Sequence, residues 1–276
     1  MRGIVIGAAA LAAWSALPWW RVRRLEVGAW GVFSSTADPH ATLERCRRAG
    51  VTFLDVMVND ASADRVEPVA FHIFDTDRLR RACAVWRAGG LPFGFTTWAT
   101  PRRDWLEGLG AVGQLATECG ARSVTLDLEE PWMALRGSPT ATITATTAAA
   151  FASLRRTFRR RVGVTHIVYA DPSIIGPALA LADEAVPQCY ATAKNAGTLR
   201  PGDLERTTWS RWSPYGKPIV MGAAAWNTAG AYGLGAVDAI RASMRAAREL
   251  GATRVRFWRL DAIEAEEAAA IRETFV

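Results

Sequence analysis

Lysine, histidine and cysteine are all scarce in this chain, and each shortage excludes something. Lys194 and Lys217 are the only lysines, so the formal charge of +6 rests on arginine. The arginines are spread along helical stretches such as "RLRRACAVWRAG" and "RASMRAAREL". They form no RNP motif, zinc-finger spacing or compact basic helix, so no nucleic-acid partner is expected. A basic balance still favours anionic surroundings such as a membrane surface or a bacterial wall. His40, His72 and His166 are the only imidazoles, and none stands in an H-E-x-x-H spacing. A catalytic metal is therefore not indicated. Cys46, Cys83, Cys119 and Cys189 form no C-x-x-C pair, which points to buried free thiols rather than a zinc site or a disulfide framework. No G-x-G-x-x-G follows the first strand, and no P-loop or Ser-His-Asp order is present, so no cofactor is expected.

What the chain does have begins with an apolar run, Gly3 to Trp20, with Arg2 before it and Arg21, Arg23 and Arg24 after it. Three readings stand side by side. As a signal peptide it has a basic start, an apolar centre and small residues near Ala13–Ser15. As a membrane anchor it is barely long enough, and its heavier basic flank would keep the following domain cytoplasmic. As an arm, residues 3–20 would dock on the domain or on a partner subunit. Residues 1–26 are taken as this leader and 27–276 as one domain, since no linker or low-complexity segment divides them.

From Val27 onward, short β-type runs alternate with longer helical ones. The predicted strands are 27–33, 51–59, 92–98, 123–129, 162–170, 184–190, 218–226 and 254–261. Several intervening helical patterns end in Gly just before the next strand, as a helix C-cap does. Eight β-then-α units in this length predict an α/β fold, a single-domain (β/α)8 TIM barrel.

The run "SVTLDLEEPW" places Asp127, Glu129 and Glu130 at the end of the fourth strand. Side chains alternate faces along a strand. Val124, Leu126 and Leu128 then face the helices, while Thr125, Asp127 and Glu129 face the barrel interior. Such barrels keep their chemistry at the C-terminal strand ends. Two carboxylates about 6–7 Å apart by strand geometry repel each other in a partly dry pocket, which raises the proton affinity of one of them. The alternative for this pair is a salt bridge to an internal arginine, Arg256 or Arg259. Glu130 falls on the other parity and is placed on the rim, with Trp132 as an indole at the lip.

Asp-x-Glu at this position resembles the signature of the β/α-barrel lysozymes, glycoside hydrolase family 25. It also resembles, more distantly, the last two acids of the D-x-x-D-x-D-x-E motif of the family 18 chitinase-like barrels. The resemblance implies a glycosidase with Glu129 as general acid and Asp127 assisting the substrate's 2-acetamido group, one of the exceptions to the two-carboxylate scheme. It implies as substrate a polymer of N-acetylated amino sugars, peptidoglycan first and chitin second, and a location outside the cytoplasm or tethered to a membrane, as in phage lysis. Two departures stand out. "VGAWGVF" lacks the first-strand aspartate of the lysozyme barrels, and the earlier acids of the chitinase motif are absent.

The parity rule extends to the other strands. Asp55 and Asn59 share a face on the second strand, where Asp55 is either a substitute for the missing first-strand carboxylate or a buried structural acid. Gln188 and Tyr190 share a face on the sixth, and Tyr190 resembles the strand-six tyrosine of chitinase-like barrels. Trp98, Trp226 and Trp258 fall near strand ends, where indoles stack well on sugar rings. Tyr169 and Asp171, with Asn227 and Asp261, complete a polar rim. A non-catalytic barrel serving as a binding or structural module of an envelope or phage-like assembly is the second reading.

Overall fold

The computed structural model describes residues 25–32, 38–59, 71–167, 171–189, 200–225 and 235–273. The leader therefore lies outside the described residues apart from its last two positions. Eight strands, β1 (Glu26–Val32), β2 (Phe53–Met57), β3 (Phe93–Trp98), β4 (Ser123–Asp127), β5 (Arg161–Ile167), β6 (Glu184–Gln188), β7 (Val220–Ala224) and β8 (Arg254–Trp258), close into one barrel. Every neighbouring pair is parallel, and β1 pairs β8 to complete the ring. This is the (β/α)8 barrel that the alternation predicts.

The helices run back outside the strands: α1 (Pro39–Ala49), α2 (Thr76–Ala88), α3 (Arg103–Cys119), a single turn α4 (Glu130–Met133), α5 (Thr140–Thr157), α6 (Pro172–Leu181), α7 (Asp203–Trp212), α8 (Ala236–Glu249) and α9 (Ala265–Glu273). Their starts are set by local chemistry. Asp38 accepts from the backbone N–H groups of His40 and Ala41, and Asp75 from that of Arg78, filling donors that the first helical turn leaves open. Gly50 and Gly120 end α1 and α3 in the left-handed conformation that glycine adopts without strain.

Strand parity divides the apolar residues into two cores. Val27, Leu54, Val56, Phe95, Val124, Leu126 and Phe257 belong to the large cluster between strands and helices. Trp30, Val186 and Val220 form a separate small cluster, with Trp258 packed against it. A parallel barrel needs this two-sided burial, because helices cover its outside and side chains fill its inside. All four cysteines are buried free thiols.

The interior is not wholly apolar. Arg256, 2% exposed, donates from Nε to Asp55 Oδ2 at 2.8 Å and from Nη2 to Glu26 Oε1 at 2.6 Å. Its guanidinium lies 4.2 Å from the centre of the Phe53 ring. Gly28 makes room for it, since a Cβ there would stand 2.4 Å from Arg256 Cδ. At the N-terminal ends of the strands, Glu184 pairs with Arg254 at 2.5 Å and with Arg161 at 3.3 Å. Buried charges persist when each finds a partner, and these acids and arginines fill the lower part of the barrel with mutually neutralising groups.

Candidate active site

The C-terminal mouth is built from strand ends. Trp98, Asp127, Gln188 and Trp258 are the last residues of β3, β4, β6 and β8. Asp127 is 4% exposed and accepts a hydrogen bond from Gln188 Nε2 on Oδ1 at 3.3 Å. Its lateral neighbours in register are Trp98 on one side and Thr165 on the other. Trp98 Nε1, Thr165 Oγ1 and Gln188 Oε1 are all buried and make no hydrogen bond among the described residues. A donor, a hydroxyl and an acceptor are therefore left open on β3, β5 and β6, at residues paired in register with Asp127 or bonded to it. Buried polar atoms without partners are rare, and clusters of them are what ligand sites supply.

Burial pushes the Asp127 carboxyl well above the usual carboxylate range, and the negative charge of Glu129 pushes it further. The amide of Gln188 favours the ionised form and opposes both effects. The salt-bridge alternative fails for Asp127, because Arg256 is engaged by Asp55 and Glu26 and Arg259 pairs with Asp261 at 2.8 Å. A carboxyl that keeps its proton toward neutral pH beside a second acid is what general acid catalysis can draw on.

Glu129 is placed differently from the sequence expectation. β4 ends at Asp127 rather than 129, and Glu129 is the N-cap of α4, with φ −84° and ψ −140°. Pro131, whose fixed φ suits the first turn of a helix, favours α4 over a longer strand here. Glu129 is part-exposed while Asp127 is buried. The pair thus has one member in the wall and one at the opening.

Three other expectations are corrected. Trp132 is not at the lip: it is fully buried in the outer core, and Nε1 donates to the Ala99 carbonyl at 2.7 Å. The α4 turn carries it inward, where its donor finds a partner and its rings find apolar neighbours. Asn59 does not line the mouth either. It is fully buried, accepting from the Trp98 backbone N–H at 2.8 Å and donating to the Trp98 carbonyl at 3.0 Å, so its amide extends the sheet beyond β2 and fixes the backbone that carries the Trp98 indole. Asp55 is the structural acid of the two readings. Arg256 holds it, and burial outweighs that partner in raising its carboxyl above the ordinary range. Asp171 and Asp261 are taken up locally, Asp171 as the cap of α6 and Asp261 by Arg259.

Trp258 is part-exposed and tilts against Trp30, with ring centroids 6.1 Å apart and planes at 60°. Trp30 is itself held by an Nε1 hydrogen bond to Thr96 Oγ1 at 3.2 Å. A Cβ on Gly222 would come within 3.1 Å of the Trp30 ring, so that glycine leaves the space the indole occupies. Tyr169, Tyr190 and Trp226 lie outside the described residues, as does the side chain of Glu130. Sequence reasoning overlooked Thr165, although the alternation in "RVGVTHI" aims it inward beside Asp127.

No family model matches the chain, and no curated protein matches it in sequence. Solved structures do. A chitinase from Chromobacterium violaceum ATCC 12472 is 14% identical, with a TM-score of 0.61 over 91% of this chain and 98% of that one. The spore cortex-lytic enzyme SleL of Bacillus megaterium QM B1551 is 12% identical, with a TM-score of 0.57 over 91% and 74%. The xylanase-alpha-amylase inhibitor protein XAIP-I is 11% identical, with a TM-score of 0.61 over 90% and 98%. At these identities the likeness is one of fold.

Proposed function

We propose that this barrel hydrolyses a glycan containing N-acetylated amino sugars, peptidoglycan first and chitin second. The reading rests chiefly on the buried Asp127 carboxyl, the charge of its neighbour Glu129 and the buried polar atoms without partners on the strand ends beside it. In the proposed reaction, the proton that Asp127 holds in the free protein passes to Glu129 as the substrate's acetamido group settles against Asp127, and Glu129 gives it to the glycosidic oxygen as the bond to the anomeric carbon breaks. The substrate's acetamido oxygen attacks that carbon, and Asp127 orients the acetamido N–H and stabilises the positive charge that develops there. Water then opens the cyclic intermediate, returning a proton to Glu129. Trp98 and Trp258, part-exposed on either side of the mouth, supply apolar faces for sugar rings. Fold likeness to a chitinase and to a spore cortex-lytic enzyme supports this reading. A wall substrate also calls for export or tethering, which the apolar run from Gly3 to Trp20 would serve.

The second reading is a barrel that binds glycan without cutting it. Asp55 is neutralised by Arg256 and supplies no further free carboxylate, and one barrel of the same fold is described as an inhibitor protein. Incubating the full-length protein with peptidoglycan and with chitin separates the two. Hydrolysis releases new reducing ends, and their identity distinguishes a muramidase from a glucosaminidase or chitinase. Retention on the polymer with no reducing ends released would support the binding reading instead.

A further inference from the structure

Charge is distributed very unevenly between the two ends of the barrel. The connections that lead from each helix into the next strand, together with the end of α9, form the face opposite the mouth. Residues 47–52, 87–92, 118–122, 155–160, 181–183, 211–218, 248–253 and 272–273 carry twelve arginines and lysines against four acids. That excess of eight positive charges exceeds the total of +6, so the remainder of the chain is net negative. Part of the pattern serves the helices, whose C-termini favour cations by about 0.3–1 kcal/mol each. Arg122 and Arg159 are not explained that way. Both are exposed, both lie outside helices, and neither has an ion pair among the described residues.

Two further observations fall on the same face. Leu181, at the end of α6, is 42% exposed and is the one exposed large hydrophobic side chain among the described residues. The chain also enters the barrel here: the apolar run ends at Trp20, and β1 begins at Glu26. The five residues between them, three of which are arginine, span at most about 17 Å when extended.

From these we infer that the face opposite the mouth docks on an anionic lipid bilayer, with the leader in or at that bilayer and Asp127 opening away from it. A short apolar segment gives weak membrane attachment by itself, and a basic patch is the second signal that makes attachment stable. Each arginine near an anionic surface adds to the attraction, which salt screens within a Debye length. This inference stands independently of the proposed chemistry.

The test is arginine footprinting of the full-length protein bound to vesicles, with phenylglyoxal as the reagent and mass spectrometry as the readout. On vesicles containing phosphatidylglycerol, Arg122 and Arg159 should be protected several-fold relative to Arg78 and Arg103, which open α2 and α3 on the mouth side. That protection should disappear on phosphatidylcholine vesicles and at high salt. Replacing both residues, Arg122→Glu with Arg159→Glu, should lower the preference for anionic over neutral vesicles by about tenfold or more, whereas Arg78→Glu with Arg103→Glu should not. Equal labelling of both faces, protection that is the same on neutral vesicles, or protection only by a soluble anionic polymer would each overturn the inference.

Discussion

Glu129→Gln should lower kcat/KM on peptidoglycan by roughly 10²–10⁴-fold, the range that general acid catalysis contributes. Glutamine keeps the size and hydrogen-bonding reach of the side chain but has no proton to give the departing oxygen. The loss should appear in kcat, with KM little changed, because the proton moves only as the bond breaks. Folding should be spared. Glu129 is part-exposed, so stability in urea should change little. A companion change, Asp127→Asn, should also abolish most turnover but for another reason, because the acetamido group would lose its anionic partner. The amide oxygen of Asn can still accept from Gln188, so the mouth keeps its shape. Equal reducing-end release by wild type and both variants would remove the catalytic assignment.

The second large effect concerns the interior below the mouth. Arg256→Met should destabilise the barrel by about 3–5 kcal/mol, because it leaves Asp55 buried without its cation. For a domain of this size that corresponds to a fall in Tm of about 10 °C. Glu26 loses its partner as well, but it is about one-third exposed and water can compensate it. Pairing the change with Asp55→Leu should recover much of the loss, since apolar replacement of a whole buried pair is often neutral. The pH dependence follows from the direction of the Asp55 shift. Burial raises its folded carboxyl above the unfolded value, so the folded state favours the neutral acid, and Arg256 is the main force opposing this. Without the arginine, the deficit should be greatest near neutral pH and shrink as acid protonates Asp55. Urea denaturation of the single and double variants at two pH values checks both statements. A single variant as stable as wild type would contradict them.

Much of this could be read from the sequence because β/α barrels impose two strict periodicities. Alternation in "SVTLDLE" put Asp127 inside, and the strand bounds set Trp98 and Trp258 near strand ends, where the structure places them. The errors arose where strands stop. Asn59 and Trp132 lie just past their strands, where parity no longer decides direction and hydrogen bonding does. An amide that can pair with both backbone groups of a neighbouring residue turns inward, and an indole with a carbonyl within reach is drawn into the core. Asp55 needed knowledge of a partner 201 positions away in sequence, which no local pattern carries. The uneven charge was also hidden, because the arginines of separate helices gather on one face only after the barrel closes.

Catalysis depends above all on Asp127 and Glu129 acting as one acid unit, and an NMR titration of the Asp127 carboxyl carbon tests this most directly. In the wild type, Asp127 should keep its proton well above the pH at which an ordinary aspartate ionises. Glu129→Gln should lower that value, because the repelling charge is gone and burial alone remains. An Asp127 that titrates as an ordinary surface carboxylate, or one whose titration is unmoved by Glu129→Gln, would contradict the account.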